Sequence, residues 1–321
     1  METINHYDVI VIGAGPAGLT AGIYLSRARL KTLILNEGAV GGQTVLTHEI
    51  ANYPGFENIS GYQLANIMKK QAKTFGCVIK SNIDIEYIVL DGDVKKVTLS
   101  DGSIFTSDSI ILSPGGRSRT LGVNGEGKFK GRGISYCATC DGDFFTDKEI
   151  VVVGGGNSAL EEAVSLTKYA RKVTIVHQFD HFQAFEHAIE EARNHPKISF
   201  IMESSISAFY GDENLESVDI VNLKTNETTT FKTDGVFIFI GYVPNTEFLK
   251  NKIELNQWGE IVVKQDMSTN IEGVYAAGDS NAKRFRQITT AVADGTIAAL
   301  AASNYLHERK SVKQPEKEVQ V

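Results

Sequence analysis

Residues 7–37 have the sequence YDVIVIGAGPAGLTAGIYLSRARLKTLILNE, which predicts a strand, a glycine-rich turn, a helix and a second strand. Residues 148–178, KEIVVVGGGNSALEEAVSLTKYARKVTIVHQ, align with them without a gap and repeat the pattern. Each stretch predicts a βαβ unit with a G-x-G-x-x-G/A turn, whose glycines let the backbone approach a pyrophosphate at the helix N-terminus. The repeat therefore indicates an α/β fold with two dinucleotide-binding units.

The two repeats differ where the second strand ends. The first ends at Glu37, about 20 residues past the glycines, where a carboxylate can accept both hydroxyls of an adenosine ribose. The second ends with His177, Gln178 and Phe179, which include neither a ribose-binding acid nor an arginine for a 2′-phosphate. The first repeat is predicted to bind a dinucleotide, and the ligand of the second stays open.

Composition excludes several classes of protein. The chain has 321 residues, of which 42% are hydrophobic and 22% charged, as in a globular protein of about two domains. No apolar run approaches the roughly 18–20 residues of a membrane span, and no apolar signal segment follows the start, so the cytoplasm is the expected location. The net charge of −7 has the wrong sign for a nucleic-acid partner.

The cysteines point to redox chemistry. Cys137 and Cys140 are two residues apart, and such a pair of thiols can exchange electrons as a dithiol and a disulfide. The alternative is half of a zinc site, but zinc needs about four ligands and the third cysteine, Cys77, is predicted to be a buried strand residue. His177 and His181 have the spacing of helical metal ligands but no third partner, so a surface turn is predicted there and no metal is expected.

The rest of the chain predicts three more elements. Residues 233–241 predict a buried strand, and residues 269–279 predict another that ends at Asp279, on the edge where open α/β sheets bind ligands. An alanine-rich helix is predicted from about Thr290 to Tyr305. The charged segment from Glu308 to Val321 predicts a solvated tail.

Motifs along the whole chain resemble those of the low-molecular-weight thioredoxin reductase family. They are GAGPAG at 13–18, GGQ at 41–43, NYPG at 52–55, KGRG at 130–133, CATCDG at 137–142, GGGNSA at 154–159, GD at 278–279 and RQ at 286–287. The resemblance implies two Rossmann-like, three-layer domains, the second inserted into the first. It divides the chain into an FAD-binding domain of residues 1–116 and 246–321 and an inserted domain of residues 117–245 that carries the cysteine pair. It also implies a homodimer and a rotation of one domain against the other during turnover.

The resemblance also implies the roles of individual residues. Cys140 would face the flavin, Cys137 would attack the disulfide of thioredoxin, and Asp141 would act as acid and base for the thiols. Asp141 precedes Gly142, so a plain turn residue is the alternative. The residues implied to bind FAD are Gly13, Gly15, Pro16, Ala17, Gly18, Glu37, Gly42, Gln43, Asn52, Gly278, Asp279, Arg286, Gln287 and Ile288.

The electron donor is where the chain departs from the family. NADPH-using members carry His-Arg-Arg and a further arginine where this chain has His177, Gln178, Phe179 and Gln183. Glu161 and Glu162, predicted in the first turn of the helix, would also repel a phosphate there. The chain therefore resembles the ferredoxin-linked, pyridine-nucleotide-independent branch. The alternatives are an NADPH-dependent thioredoxin reductase, an FAD-dependent dithiol oxidase and a non-catalytic flavin sensor.

Ferredoxins are usually acidic, so a donor of this kind needs a local basic patch on a chain of net charge −7. Two clusters offer one: Arg27, Arg29 and Lys31, or Lys283, Arg284 and Arg286. The second cluster is preferred, because the resemblance implies that it lies closer to the flavin ring.

Overall fold

The structure, a computed structural model, describes residues 5–47 and 49–313. The chain forms two compact units: unit 1 comprises Met1–Arg117 with Val243–Val321, and unit 2 comprises Ser118–Tyr242. Where the chain passes between the units, strands β7 (Gly116–Ser118) and β16 (Tyr242–Pro244) pair as a two-stranded sheet. Unit 1 is thus built from both ends of the chain.

Unit 1 contains a seven-stranded sheet, with strands numbered in chain order. Its strands are β1 (Asn5–Ile12), β2 (Thr32–Asn36), β3 (Val78–Ser81), β4 (Ile85–Val89), β5 (Lys95–Leu99), β6 (Ile104–Leu112) and β17 (Val274–Ala276). Strands β3, β2, β1 and β6 lie side by side and parallel. The long β6 pairs with β5 antiparallel along its first half and with β17 parallel along its second half.

Both faces of the unit 1 sheet are buried, which explains why β1 is an unbroken apolar run. Val9 and Val11 face helices α1 (Pro16–Arg27), α2 (Gly61–Thr74) and α7 (Ile288–Lys313), whose buried residues share one hydrophobic core with them. Ile10 and Ile12 face a second core that includes residues of β4, β5 and the segment 249–261. The carboxyl ends of β1, β2 and β17 lead into the residues predicted to bind FAD.

Helix α7 is longer than predicted. It extends to Lys313, and in its last turns Arg309 pairs with Asp93 and Lys310 pairs with Asp8, both far away in sequence. The prediction of a tail from residue 308 is therefore wrong for residues 308–313, and residues 314–321 lie outside the described residues. None of the described helices is long and apolar enough to cross a membrane.

Unit 2 is a five-stranded sheet with a second, three-stranded sheet. The first sheet has the order β11 (Ile198–Ile201), β10 (Lys172–Val176), β9 (Glu149–Val153), β15 (Gly235–Ile238), β8 (Ile134–Ser135), and all its pairs are parallel. The second sheet is antiparallel and consists of β12 (Ser204–Gly211), β13 (Leu215–Asn222) and β14 (Thr228–Lys232). The α-helices are α3 (Glu126–Phe129), α4 (Ala138–Asp141), α5 (Asn157–Leu166) and α6 (Glu186–Asn194).

Successive side chains of β9 point into two different cores, which gives unit 2 its three layers. Ile150 and Val152 belong to a core shared with α5 and α6, whereas Val151 and Val153 belong to a core shared with β12 and β13. Helices, parallel sheet and antiparallel sheet therefore lie one above the other. The predicted fold class, an α/β protein with two dinucleotide-binding folds of Rossmann type, is confirmed.

Short 3₁₀ helices complete the described structure at Gly42–Leu46, Gly142–Phe145 and Glu247–Leu249. The first follows β2 in unit 1, and the second follows α4 directly in unit 2. Both lie in segments that carry predicted site residues.

Candidate active site

The first glycine-rich turn of unit 1 leaves backbone donors available for an anion. Helix α1 has Gly15 as its N-cap and no side-chain cap, and its first internal hydrogen bond runs from the Leu19 N–H to the Gly15 carbonyl. The turn is held from the side by Asn36, whose Oδ1 accepts from the Ala14 N–H at 2.8 Å. Pro16 has no N–H, and the N–H groups of Ala17 and Gly18 precede the first hydrogen bond of the helix, so they have no partner within it.

The three glycines of this turn are needed for different reasons. A Cβ on Gly13, which has φ of +101°, would overlap the Ser113 carbonyl oxygen, and a Cβ on Gly18 would overlap the Gly13 carbonyl oxygen. A Cβ on Gly15 would meet no atom of the protein within 4 Å. Gly13 and Gly18 are therefore required by the fold, whereas Gly15 borders open space at the helix start. Gly42 lies beside Gly15, since a Cβ on Gly42 would be 3.2 Å from the Gly15 Cα.

The acid that follows β17 is half-buried, and one of its carboxylate oxygens has no hydrogen-bond partner among the described residues. Asp279 Oδ1 is buried without a hydrogen-bond partner, and so are Ser280 Oγ and Asn281 Oδ1. Burial raises the pKa of the Asp279 carboxyl, and the nearby charges of Lys283 and Arg286 oppose that rise. Ser280 and Asn281 are fully buried, so of these three residues only Asp279 has surface that a ligand donating hydrogen bonds could reach at this sheet edge. Glu37, at the end of β2, is exposed.

The remaining residues predicted to bind FAD lie in three segments of unit 1. Gln43 lies in the 3₁₀ helix that begins at Gly42, and Ile288 begins α7. Asn52 Nδ2 is 3.5 Å from Gln287 Oε1, which brings together residues from opposite ends of the chain. Arg286 Nε lies 3.4 Å from the carbonyl oxygen of Asp279.

Two of the three cations in the preferred basic cluster are neutralised. Lys283 pairs with Asp294 at 2.5 Å, and these side chains are only 15% and 13% exposed. Arg286 pairs with Glu260. Arg284 is exposed, and its guanidinium lies 5.3 Å from the centre of the Phe285 ring. The expectation of a basic patch of three residues is therefore reduced to Arg284 with its aromatic neighbour.

The cysteine pair of unit 2 is a disulfide between Cys137 and Cys140. Cys137 is the N-cap of α4, and its Sγ accepts from the Cys140 N–H at 3.2 Å. The Asp141 N–H donates to the Cys137 carbonyl at 3.2 Å. Because the Cys140 N–H points at Sγ of Cys137, it is placed to stabilise a thiolate there once the disulfide opens.

Asp141 is half-buried, and Ser135 Oγ donates to its Oδ2 at 2.5 Å. Burial raises the pKa of the Asp141 carboxyl above its usual range, although the Ser135 hydrogen bond lowers it. Asp141 therefore keeps its proton to a higher pH than an exposed aspartate does. That property suits a group that supplies a proton beside a disulfide.

Cys77 has a different environment from the disulfide pair. It is buried between α2 and β3 of unit 1, and burial raises the pKa of its thiol to about 11. A thiol of this kind is unreactive. Among residues 5–47 and 49–313, no three His, Cys, Asp or Glu side chains lie close enough together to hold a metal ion.

The second glycine-rich turn, in unit 2, is covered by the segment that follows β10. A Cβ on Gly155 would overlap the ring of His177, which is itself buried. The Gln183 N–H donates to the Gly155 carbonyl at 2.8 Å, and the Phe185 N–H donates to Asn157 Oδ1 at 2.7 Å. Gln178, Phe179 and Gln183 are exposed around this turn.

Two sequence predictions at this turn need correction. Helix α5 begins at Asn157, so Glu161 and Glu162 lie in its second turn and not in its first. The segment after β10 is not wholly a surface turn, because His177 is buried and burial lowers the pKa of its imidazole. His181 is exposed and pairs with Asp180.

A family model described as pyridine nucleotide-disulphide oxidoreductase matches residues 7–295. The chain belongs to this family. It is 46% identical over 306 residues to a "34.2 kDa protein in rubredoxin operon" of Clostridium pasteurianum, covering 95% of this chain and 99% of the relative. It is 45% identical over 311 residues to the thioredoxin reductase of Peptoclostridium acidaminophilum, covering 94% and 98%.

Solved structures agree with the family assignment. The thioredoxin reductase of Streptococcus pyogenes MGAS5005 is 39% identical, with a TM-score of 0.92 over 95% of this chain and 100% of that one. Within the pyridine nucleotide-disulphide oxidoreductase family, the chain is therefore of the thioredoxin reductase type, a flavoprotein disulfide oxidoreductase.

FAD is the cofactor of this oxidoreductase type, and unit 1 fits it. The open space beside Gly15 and the free N–H groups at the start of α1 suit a pyrophosphate. The unpartnered carboxylate oxygen of Asp279 suits a hydroxyl group of a sugar or ribityl chain.

Gly15→Ala is expected to fold but to lose FAD. The backbone of Gly15, with φ of −75° and ψ of −175°, is one that alanine adopts, and its Cβ would occupy only the space beside the helix start. The flavin absorbance per mole of purified protein should fall at least about tenfold, while circular dichroism stays that of the wild type. Gly127→Ala, whose Cβ also meets nothing within 4 Å, is the matched control. Full flavin content in the Gly15 variant would show that the pyrophosphate does not lie there.

The structure adds site residues that the sequence did not reveal. Asp294 lies inside α7, where it pairs with Lys283 and accepts from the Gly278 N–H at 3.0 Å. Ser135 contacts Asp141 from six residues away. An acid within an alanine-rich helix was the only sequence signal for Asp294, and Ser135 had none.

Proposed function

We propose that the chain is a thioredoxin-disulfide reductase in which the Cys137–Cys140 disulfide carries electrons from FAD to thioredoxin. The observation that supports this most strongly is the disulfide itself, with a backbone N–H on Cys137 Sγ and the half-buried acid Asp141 directly after Cys140. In this proposal residues 1–116 and 246–321 bind FAD and residues 117–245 carry the disulfide. The enzyme acts as a homodimer in the cytoplasm.

The chemistry needs two electrons and two protons in each cycle. The chemistry that FAD supplies when bound is the delivery of two electrons to the Cys137–Cys140 disulfide. As its S–S bond breaks, Asp141 gives its proton to Cys140, which leaves Cys137 as the thiolate. Cys137 then attacks the thioredoxin disulfide, and the thioredoxin sulfur that leaves takes a proton from solvent. Cys140 returns its proton to Asp141 and displaces the second thioredoxin sulfur, which takes the second proton from solvent, and the Cys137–Cys140 bond is restored.

We propose ferredoxin as the electron donor. The residues around the second glycine-rich turn that correspond to family arginines are Gln178, Phe179 and Gln183, and none is cationic. Lys224 lies near the same end of unit 2, because the Leu223 N–H donates to the carbonyl of Glu203, whose own N–H donates to the Phe179 carbonyl. The Lys224 side chain is already paired with that of Glu203. A 2′-phosphate therefore finds no free cation among these residues.

Reduction potentials support the same donor. Ferredoxins lie near −400 mV and thioredoxin near −270 mV, so two electrons run downhill by roughly 130 mV, or about 6 kcal/mol. The relative from Clostridium pasteurianum is named for a rubredoxin operon, which supports an iron-containing electron carrier as the donor.

The test is anaerobic turnover with purified components. Reduced ferredoxin and the enzyme should convert thioredoxin disulfide to the dithiol over many cycles, as counted by thiol titration. A protein that instead, in a parallel assay in air, reduces oxygen while it oxidises small dithiols is a dithiol oxidase. One that binds FAD but turns over neither substrate is a sensor. Either result would replace the proposal.

Arg284→Glu is expected to slow ferredoxin-dependent turnover about three- to tenfold at low salt and to weaken its salt dependence. Arg284 is the exposed cation in the loop between Asp279 and α7, and it lies over the exposed Phe285 ring. The matched control is Lys232→Glu, which makes the same change of charge on β14 of unit 2. Equal effects of the two substitutions would mean that only net charge matters and that Arg284 is not the docking residue.

A further inference from the structure

Ser135 contacts both the redox segment and its acid. It is the last residue of β8 and is buried. Its Oγ accepts from the Cys137 N–H at 3.0 Å, lies 2.5 Å from Asp141 Oδ2, and is 3.3 Å from the Cys137 carbonyl oxygen. One hydroxyl therefore contacts polar groups on both sides of the disulfide segment.

The single hydroxyl proton can satisfy Asp141 in either protonation state. When Asp141 is a carboxylate, Ser135 donates to Oδ2 and accepts from the Cys137 N–H. When Asp141 is protonated, the acid donates to Ser135 Oγ, and the serine proton turns to the Cys137 carbonyl. Serine has the two acceptor sites and the one proton that this exchange requires.

We propose that Ser135 is the positioning residue for Asp141, holding its carboxyl group beside the Cys137–Cys140 segment both before and after the proton transfer. This inference rests on the role of Asp141 in the proposed function. It also explains what keeps the segment in place once the S–S bond is broken. Neither the Ser135–Asp141 hydrogen bond nor the bond from the Asp141 N–H to the Cys137 carbonyl involves a sulfur atom, so opening the S–S bond removes neither partner.

The test uses dithiothreitol to open the disulfide, so neither a donor protein nor thioredoxin is needed. The dithiothreitol thiolate attacks one sulfur, the other leaves as a thiolate, and Asp141 protonates it. The second thiol of dithiothreitol then displaces the bound enzyme sulfur, which closes the oxidised dithiothreitol ring and leaves two enzyme thiols. The rate is measured by thiol titration of the holoenzyme across a pH series, and each variant is expressed as a ratio to the wild type. Because the thiolate fraction of dithiothreitol changes with pH equally in both reactions, its effect cancels in this ratio.

Ser135→Ala should open about five- to tenfold more slowly than the wild type at low pH, where Asp141 is protonated in both proteins. Because the hydrogen bond that favours the carboxylate is lost, Asp141 keeps its proton to higher pH, and the ratio should rise with pH. A purely structural loss would give a ratio that does not change with pH, and that result would overturn the proposal.

Two further comparisons keep the test decisive. Tyr136→Phe removes a neighbouring hydrogen bond, from the Tyr136 hydroxyl to Glu126, without touching Asp141, and should leave the ratio near one. If Ser135→Ala does not fold, the variants Ser135→Thr and Ser135→Val are compared instead. Threonine and valine side chains have the same shape as each other, and only threonine has a hydroxyl group. Thr should behave as the wild type and Val should show the pH-dependent loss; equal behaviour of the two would refute the role of the hydroxyl.

A double-mutant cycle separates this inference from the proposed function. In the D141A background, S135A should change the opening rate less than twofold, because the group that Ser135 positions is gone. A full five- to tenfold effect there would overturn the proposal. Failure of the wild type to reduce thioredoxin would contradict the proposed function but leave this cycle interpretable.

Discussion

Cys137→Ser and Cys140→Ser are each expected to abolish thioredoxin reduction, lowering the turnover rate at least about a thousandfold. Each variant keeps one thiol, which cannot close the disulfide that the structure shows between these residues. Ferredoxin-dependent formation of thioredoxin thiols is the measurement. The control is Cys77→Ala, which removes the buried, unreactive cysteine and should retain activity within about threefold.

The two variants should differ in their spectra. The proposal that Cys140 faces the flavin predicts a long-wavelength charge-transfer band when Cys137 is replaced. With Cys140 replaced, no such band should appear. The reverse assignment of bands would show that Cys137 is the thiol next to the flavin.

The second large effect is expected in the choice of donor: reduced ferredoxin should bleach the flavin rapidly, and NADPH should not. An arginine–phosphate hydrogen bond contributes about 1.5–3 kcal/mol, so the absence of two or three of them weakens NADPH binding at least about a hundredfold. NADH gains nothing in exchange, because Gln178 stands where a ribose-binding acid would be. Anaerobic stopped-flow absorbance with each donor in turn measures this.

A gain-of-function variant sharpens the comparison. Gln178→Arg, Phe179→Arg and Gln183→Arg together restore cations at exposed positions around the second glycine-rich turn. This triple variant should bind NADPH at least tenfold more tightly than the wild type, with NADH unchanged. Fast stoichiometric reduction of the wild-type flavin by NADPH would contradict the proposed donor.

The fold could be predicted where the signal is local. The turns at Gly13 and Gly154, between apolar runs of strand length, are set by neighbouring residues, and the structure has a strand, a turn and a helix at both. The end of α7 could not be predicted in this way. Its last turns are polar, and they are stabilised by Arg309 and Lys310 through acids about 200 and 300 residues away.

Some features of the candidate site could also be predicted from local sequence, and others could not. The cysteine pair and the glycines stand out in the sequence because their spacing alone carries the chemistry. The sequence does not reveal the charge state of the basic cluster. Lys283 and Arg286 are neutralised by Asp294 and Glu260, and only the folded chain brings these acids near them. Ser135 was missed for the same reason, since a serine at the end of a short strand has no distinctive pattern.

The discontinuous construction of unit 1 has a consequence for biosynthesis. Strand β6 needs β17 as a neighbour, and α1 shares its core with α7, so the sheet and core of unit 1 stay incomplete until the last part of the chain leaves the ribosome. Unit 2 is continuous from Ser118 to Tyr242 and contains all the strands of its own sheets. Unit 2, which carries the disulfide, is therefore synthesised in full and free to fold while the first 117 residues still lack β17 and α7.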